Sequence, residues 1–153
     1  MTILSSTYKI RFQDCDPFHH LNNARYIDYF LNARGDQILA SLGVDIYGSQ
    51  GFSWVVGTNQ LAYFRPAVLN EMILIESQVI EYSSRKLVIE MRMYNESRSE
   101  LKALLWVTSI PIDLKTMKVS AHSEKLMSLF KELLIPVGST YFEERRRAVQ
   151  KDT

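Results

Sequence analysis

The chain has 153 residues, 46% hydrophobic, 11% aromatic and 23% charged, with a formal net charge of +1. That is one domain's worth, enough for a core without disulfides, and the charge gives no bulk pull toward nucleic acid or acidic membranes. One cysteine, Cys15, excludes an internal disulfide. With no export leader and no apolar run of about 18 residues, a reducing cytoplasm is the expected compartment.

Taken in chain order, Tyr8, Ile10 and Phe12 alternate with Lys9 and Arg11, which predicts a first strand over residues 8–12. A polar stretch, 13–23, follows and is interrupted by Pro17. From residue 24 to about 42 the pattern becomes helical. Ile27, Leu31, Ile38 and Leu42 share one face, with Tyr26, Phe30 and Ala33 beside it. A helix so apolar is expected to be largely enclosed, capped by Asn22 or Asn23 and stopped at Gly43.

The remainder reads mainly as strands. Residues 52–64 are rich in β-branched and aromatic side chains and end at Arg65-Pro66. Residues 72–82 and 87–94 are joined by the hairpin-length connection Ser83-Ser84-Arg85-Lys86. Within the second of these, Leu87, Ile89, Met91 and Met93 alternate with Val88, Glu90, Arg92 and Tyr94, the period of a strand with one buried face. A fifth strand spans 101–112, ended by Pro111 and Asp113. Residues 123–134 predict a short surface helix with Leu126, Leu129, Phe130, Leu133 and Leu134 on its apolar side. Residues 1–142 thus form a single domain, and the charged tail 143–153, with Arg145-Arg146-Arg147, is expected to be mobile and solvated. The order predicts an α+β fold: a curved antiparallel five-stranded sheet around one long helix, plus a short C-terminal helix. Open sheet edges and an uncovered outer face predict dimerisation.

The chemistry concentrates in residues 11–30, RFQDCDPFHHLNNARYIDYF, where Asp14, Asp16, His19, His20, Asn22 and Asn23 immediately precede a helix start. Such a start presents unpaired backbone N–H groups and partial positive charge, suited to holding a carbonyl oxygen and the oxyanion formed when that carbonyl is attacked. A carboxylate nearby can attack directly or take a proton from water. Thioesters suit this arrangement because thiolate leaves readily. Cys15 lacks a positioned base and reads as a structural thiol, and adjacent histidines do not easily share a metal ion.

The segment resembles the active-site signature of the 4-hydroxybenzoyl-CoA thioesterase-like branch of hotdog proteins. That signature is aromatic-x-Asp-x-Asp, a short loop, His-x-Asn-Asn and a Tyr in the first helical turn. Phe12, Asp14, Asp16, His20, Asn22, Asn23 and Tyr26 occupy these places, and Tyr63-Phe64-Arg65-Pro66 also fits. The resemblance covers roughly residues 7–135. It implies the hotdog fold, assembly as a homodimer or as a homotetramer built from two dimers, and hydrolysis of acyl-coenzyme A without a cofactor or metal. Asp16 becomes the nucleophile or general base, the N–H near Asn23 polarises the carbonyl, and His20 and Asn22 orient the reacting groups. Asp14 reads as structural. His19 departs from the pattern, where a glycine is common.

Tyr26 is expected to line the substrate site. Coenzyme A phosphates call for basic partners, for which Ser84, Arg85 and Lys86 in the hairpin are the first candidates and Arg65 the second. Competing readings are a thioesterase acting on acyl-carrier protein, a non-catalytic acyl-CoA-binding module, and a hotdog hydratase. The Asp16, His20, Asn22 set weighs against a mere binder, and neither nucleic acid nor membrane is an expected partner.

Overall fold

The computed structural model describes residues 3–42 and 51–152; the expected stop at Gly43 and the Leu42 side chain lie outside them. Strand β1, Leu4–Lys9, starts and ends earlier than the alternation predicted. Its ladder to the third strand closes at Lys9↔Met72, so no partner remains for Phe12. Phe12 instead opens a 3-10 turn, Phe12–Asp14, and is 77% exposed. A second 3-10 turn, Asn23–Arg25, runs into helix α1, Tyr26–Leu42. Strands β2, Phe52–Tyr63, β3, Met72–Ser83, β4, Lys86–Asn95, and β5, Leu101–Asp113, follow. All pairs are antiparallel, in the order β1-β3-β4-β5-β2.

Helix α1 lies on one face of this sheet, and the main core forms between them from Tyr26, Tyr29, Phe30 and Ala33 against Ile73, Ile75, Met91, Met93, Leu105 and Val107. This is the expected five-stranded sheet around one long helix. The helix's buried face is not the predicted one, however. Tyr29 and Gln37 join Tyr26, Phe30 and Ala33 inside, whereas Leu31 is 46% exposed. Gln37 is tolerated there because its amide donates to Ser6 Oγ (2.9 Å) and to the Ile75 carbonyl (3.0 Å). Helix α2, Glu124–Leu133, starts at Ser123, whose hydroxyl accepts from the Leu126 N–H (3.2 Å). It packs Leu126 and Phe130 on Val79 and Leu87, on the α1 side of the sheet.

The tail expected to be mobile is a helix, α3, Phe142–Lys151. Glu143 and Glu144 in its first turn and Lys151 in its last suit the helix dipole. It covers part of the sheet's other face: Val149 packs on Leu101 and Leu104, and Phe142 meets Trp106 edge-on at 5.6 Å. Arg145 forks onto Glu90 with two 2.8 Å bonds, and Glu90 also accepts from Arg92 (2.9 Å) and the Trp106 indole (2.9 Å). Strand β4 is therefore buried on both faces, with Val88, Glu90 and Arg92 inside, rather than on one. Arg145 is structural, not a solvated tail residue. The edges β1 and β2 stay open, with Val55 and Val56 each 44% exposed on β2. Among the described residues no helix is long and apolar enough to cross a membrane.

Candidate active site

Residues 14–22 fold into a tight loop whose limbs pair back on each other. Cys15 bridges Leu21, the Asp16 N–H donates to the His20 carbonyl (2.8 Å), and the Asn22 N–H donates to the Asp14 carbonyl (2.9 Å). Asp16 organises the tip. Its Oδ1 accepts from the Phe18 N–H (2.9 Å) and the His20 N–H (3.1 Å), while Oδ2 has no partner among the described residues. One oxygen is thus fixed and the other is available. The loop is tied to the body by Leu21 N–H to the Ala67 carbonyl and Leu69 N–H to the His19 carbonyl, both 2.8 Å.

The returning limb delivers the helix start. Asn22 accepts from the Ala24 N–H through its side chain (2.9 Å), which makes it the cap. Asn23 follows in the opening turn, and its own N–H has no acceptor among the described residues. Asp16 pairs with His20, and three residues of extended chain, about 10 Å, carry the returning limb from His20 to Asn23. Tyr63 fixes this point from β2, its hydroxyl donating to the Asn23 carbonyl (2.8 Å). Tyr29 fixes the other limb, donating to Asp14 Oδ2 (2.7 Å) while accepting from the Arg11 N–H (3.0 Å). Burial, together with the Asp14 carboxylate, pushes the Tyr29 hydroxyl up to about 12, so it remains a donor. Neither bracing tyrosine was singled out from sequence. The only signals were Tyr29's spacing one turn from Tyr26 and Tyr63's place beside Phe64-Arg65-Pro66.

The expected set is only partly brought together. Asp14 is engaged by the Tyr29 hydroxyl. Asp16, His20, Asn22 and Asn23 share the loop, but His20 meets Asp16 through its backbone, with its ring exposed. Tyr26 is 2% exposed and does not face an open site; its hydroxyl accepts from the Ala67 N–H (3.1 Å) and its ring meets Tyr63 edge-on at 5.0 Å. Arg65 lies at the same end of the sheet as Asp16, paired with Glu100 (3.5 Å). Ser84, Arg85 and Lys86 lie at the other end. Twelve-residue β3 separates them from the loop, about 36 Å of strand, and Lys86 pairs with Glu81. The hairpin therefore cannot serve Asp16 of its own protomer.

Cys15 is held above its ordinary thiol value by burial and then by Asp14 and Asp16, which keeps it in the inert thiol form. His19 adopts φ +63°, left-handed backbone that a Cβ disfavours, which is the physical reason a glycine suits this position. No group of three His, Cys, Asp or Glu side chains able to hold a metal ion occurs among the described residues.

A sheet wrapped on one helix, with a carboxylate loop at that helix's start, defines the hotdog thioesterases. Residues 10–130 match the family described as the thioesterase-like superfamily, and the chain belongs to it; it is a thioester hydrolase. It is 27% identical over 131 residues to the long-chain acyl-CoA thioesterase FadM of Escherichia coli (strain K12), covering 86% of this chain and 99% of that one. It is 24% identical over 127 residues to the acyl-CoA thioesterase YbgC of Haemophilus influenzae, covering 82% and 92%. The crystal structure of YbaW, a probable thioesterase from Escherichia coli, superposes with a TM-score of 0.76 at 26% identity, covering 86% of this chain and 99% of that one.

Proposed function

We propose that the chain hydrolyses acyl-coenzyme A to the free acid and coenzyme A. One observation carries this reading: a carboxylate with one oxygen locked by two N–H groups and the other unpartnered, on the same loop that presents the unpaired Asn23 N–H. The thioester carbonyl accepts from Asn23 N–H, which stabilises the oxygen as negative charge develops there. Asp16 then acts by one of two routes. It takes a proton from water as the water attacks, or its Oδ2 attacks, expels the thiolate and leaves a mixed anhydride that water cleaves.

His20 positions the carboxylate through its main chain, and Asn22 positions Asn23 by capping the turn. Arg65 is a basic group on the Asp16 end of the sheet and meets a coenzyme A phosphate there. Arg85 and Lys86 reach a phosphate only from a second copy of the chain, so the reading pairs this role with a dimer or dimer of dimers in the cytoplasm. Supporting assembly, Val55 and Val56 on edge strand β2 and the loop aromatics Phe12 and Phe18, 77% and 81% exposed, present apolar surface.

The experiment is hydrolysis of short, medium, long-chain and aromatic acyl-CoAs, followed by release of the coenzyme A thiol. Turnover of at least one class is expected, together with a larger KM rise on Arg65→Ala for coenzyme A esters than for short thioesters lacking the nucleotide. No turnover of any acyl-CoA by the folded protein removes the assignment.

A further inference from the structure

The side chains Ile27, Leu31, Arg34 and Ile38 recur at helical spacing on α1, yet none belongs to the buried core. They line two neighbouring cavities instead. A small one of about 40 Å³ lies along Ile27, Leu31 and Arg34, beginning one turn from Asn23. The other, about 320 Å³, shares Leu31 and Arg34 and continues to Ile38, walled by Leu87 and Ile89 of the sheet and Phe130 and Leu133 of α2. The stripe that the sequence marked as a core face is thus the wall of two hollows that share Leu31 and Arg34, the smaller of them starting one turn beyond Asn23.

The larger cavity is mostly apolar, and its polar liners other than Arg34 are neutral. Arg34 is the only charged side chain among its described lining residues, and no hydrogen bond or ion pair to it occurs among the described residues. Three of the neutral liners are engaged: Gln78 donates to the Ile135 carbonyl (2.7 Å), Ser77 bonds Gln37, and the Trp54 indole donates to His122 (2.9 Å), while Ser53 and Ser109 add hydroxyls. A half-buried guanidinium in an apolar wall loses hydration without recovering it from a carboxylate. Desolvation accordingly lowers its pKa from the ordinary value. Its planar fork of donors matches the two oxygens of a carboxylate.

Building on the thioesterase reading, we infer that this cavity takes the acyl chain and that Arg34 binds a carboxylate carried at the chain's far end, making the preferred substrate a dicarboxylic acid monothioester. Arg34 is eleven residues beyond Asn23, about 17 Å of helix, and its long side chain leans back toward that end, which leaves roughly the reach of an eight- to ten-carbon chain. Arg34 is a specificity residue: it touches the far end of the substrate and takes no part in the bond that breaks.

The test compares two coenzyme A thioesters of equal, roughly ten-carbon length, one ending in methyl and one in carboxylate. Both are assayed with the full-length protein, Arg34→Leu and Arg34→Lys. For the wild type the carboxylate-ended ester is expected to have the higher kcat/KM. In Arg34→Leu that ester should lose about ten- to a hundred-fold, mainly through KM, while the methyl-ended ester keeps or gains rate; Arg34→Lys should recover part of the loss. Binding of the free ten-carbon diacid, followed by calorimetry, should weaken in parallel. An unchanged ratio of the two esters in Arg34→Leu, or a wild-type preference for the methyl-ended ester, overturns the inference while the thioesterase assignment stands. Hydrolysis of neither ester, nor of any other acyl-CoA, overturns both.

Discussion

Replacing Asp16 with Asn separates the chemical role of this residue from its structural one. The amide keeps an oxygen where Oδ1 accepts from Phe18 and His20, so the loop geometry has the means to persist. What is lost is charge. A hydrogen bond to a charged acceptor contributes about 1.5–3 kcal/mol and a neutral one about 0.5–1.5, so two bonds weaken by about 2–3 kcal/mol. Against a typical stability of about 5–15 kcal/mol the variant stays folded. Its chemistry should not survive, because an amide neither takes the water proton nor attacks a thioester. The expected loss in kcat is about 10²- to 10⁴-fold, or about 3–5 kcal/mol of transition-state stabilisation. Initial rates of thiol release from an acyl-CoA, read beside the urea midpoint and oligomeric state, measure both effects. A single turnover in heavy-oxygen water then tests the nucleophilic route, since isotope found in the Asp16 carboxylate requires an anhydride at that carboxylate, opened by water at its own carbon. An Asp16→Asn enzyme within about tenfold of wild-type kcat would refute the reasoning.

Three further outcomes follow from the same coordinates. His19→Gly relieves left-handed strain of about 1–2 kcal/mol and adds about 0.4–1 kcal/mol of unfolded-chain entropy, so a net gain of up to about 1 kcal/mol in urea unfolding is expected with kcat unchanged; a clear loss of stability would contradict the strain assignment. His122 is buried, its Nε2 accepts from Trp54 and its Nδ1 lies 2.8 Å from the Ser83 carbonyl, and desolvation holds its pKa below 6.5. The unfolded chain then binds the proton first, so the stabilisation is complete above pH 6.5 and is lost as pH falls toward the folded value. Urea midpoints across that window should show the fall, and His122→Gln should flatten it. Arg145→Ala leaves Glu90 with Arg92 and Trp106, so the expected cost is about 2–3 kcal/mol, under the 3–5 kcal/mol of a buried charge stripped of its only partner; thermal unfolding unchanged from wild type would return α3 to the status of a loose tail.

The elements themselves were legible because strands and helices write their periods locally. β2 to β5 and α2 begin and end within a residue or two of where alternation, Pro66 and Ser123 place them. The loop that carries Asp16, Asn22 and Asn23 was legible for a related reason: the hydrogen bonds within it join residues no more than eight positions apart, so a short motif contains them, whereas its anchors at Tyr29, Tyr63, Ala67 and Leu69 lie farther along the chain. What escaped was every decision that needed a distant partner. β1 ends at Lys9 because β3 begins at Met72. The stripe Ile27, Leu31 and Ile38 is as apolar as a core face, and only the position of the sheet and α2 turns it into a cavity wall. The tail becomes α3 because Glu90, fifty-five positions away in sequence, lies buried and needs Arg145. The hairpin at Ser84-Arg85-Lys86 sits at the far end of the sheet from Asp16, a separation that strand length and topology decide and residue type does not record. Sequence by itself determined the local conformations and the make-up of one loop. Tertiary structure decided which charges meet, which apolar faces close and which stay open, because burial and ion pairing are properties of residues brought together across the fold.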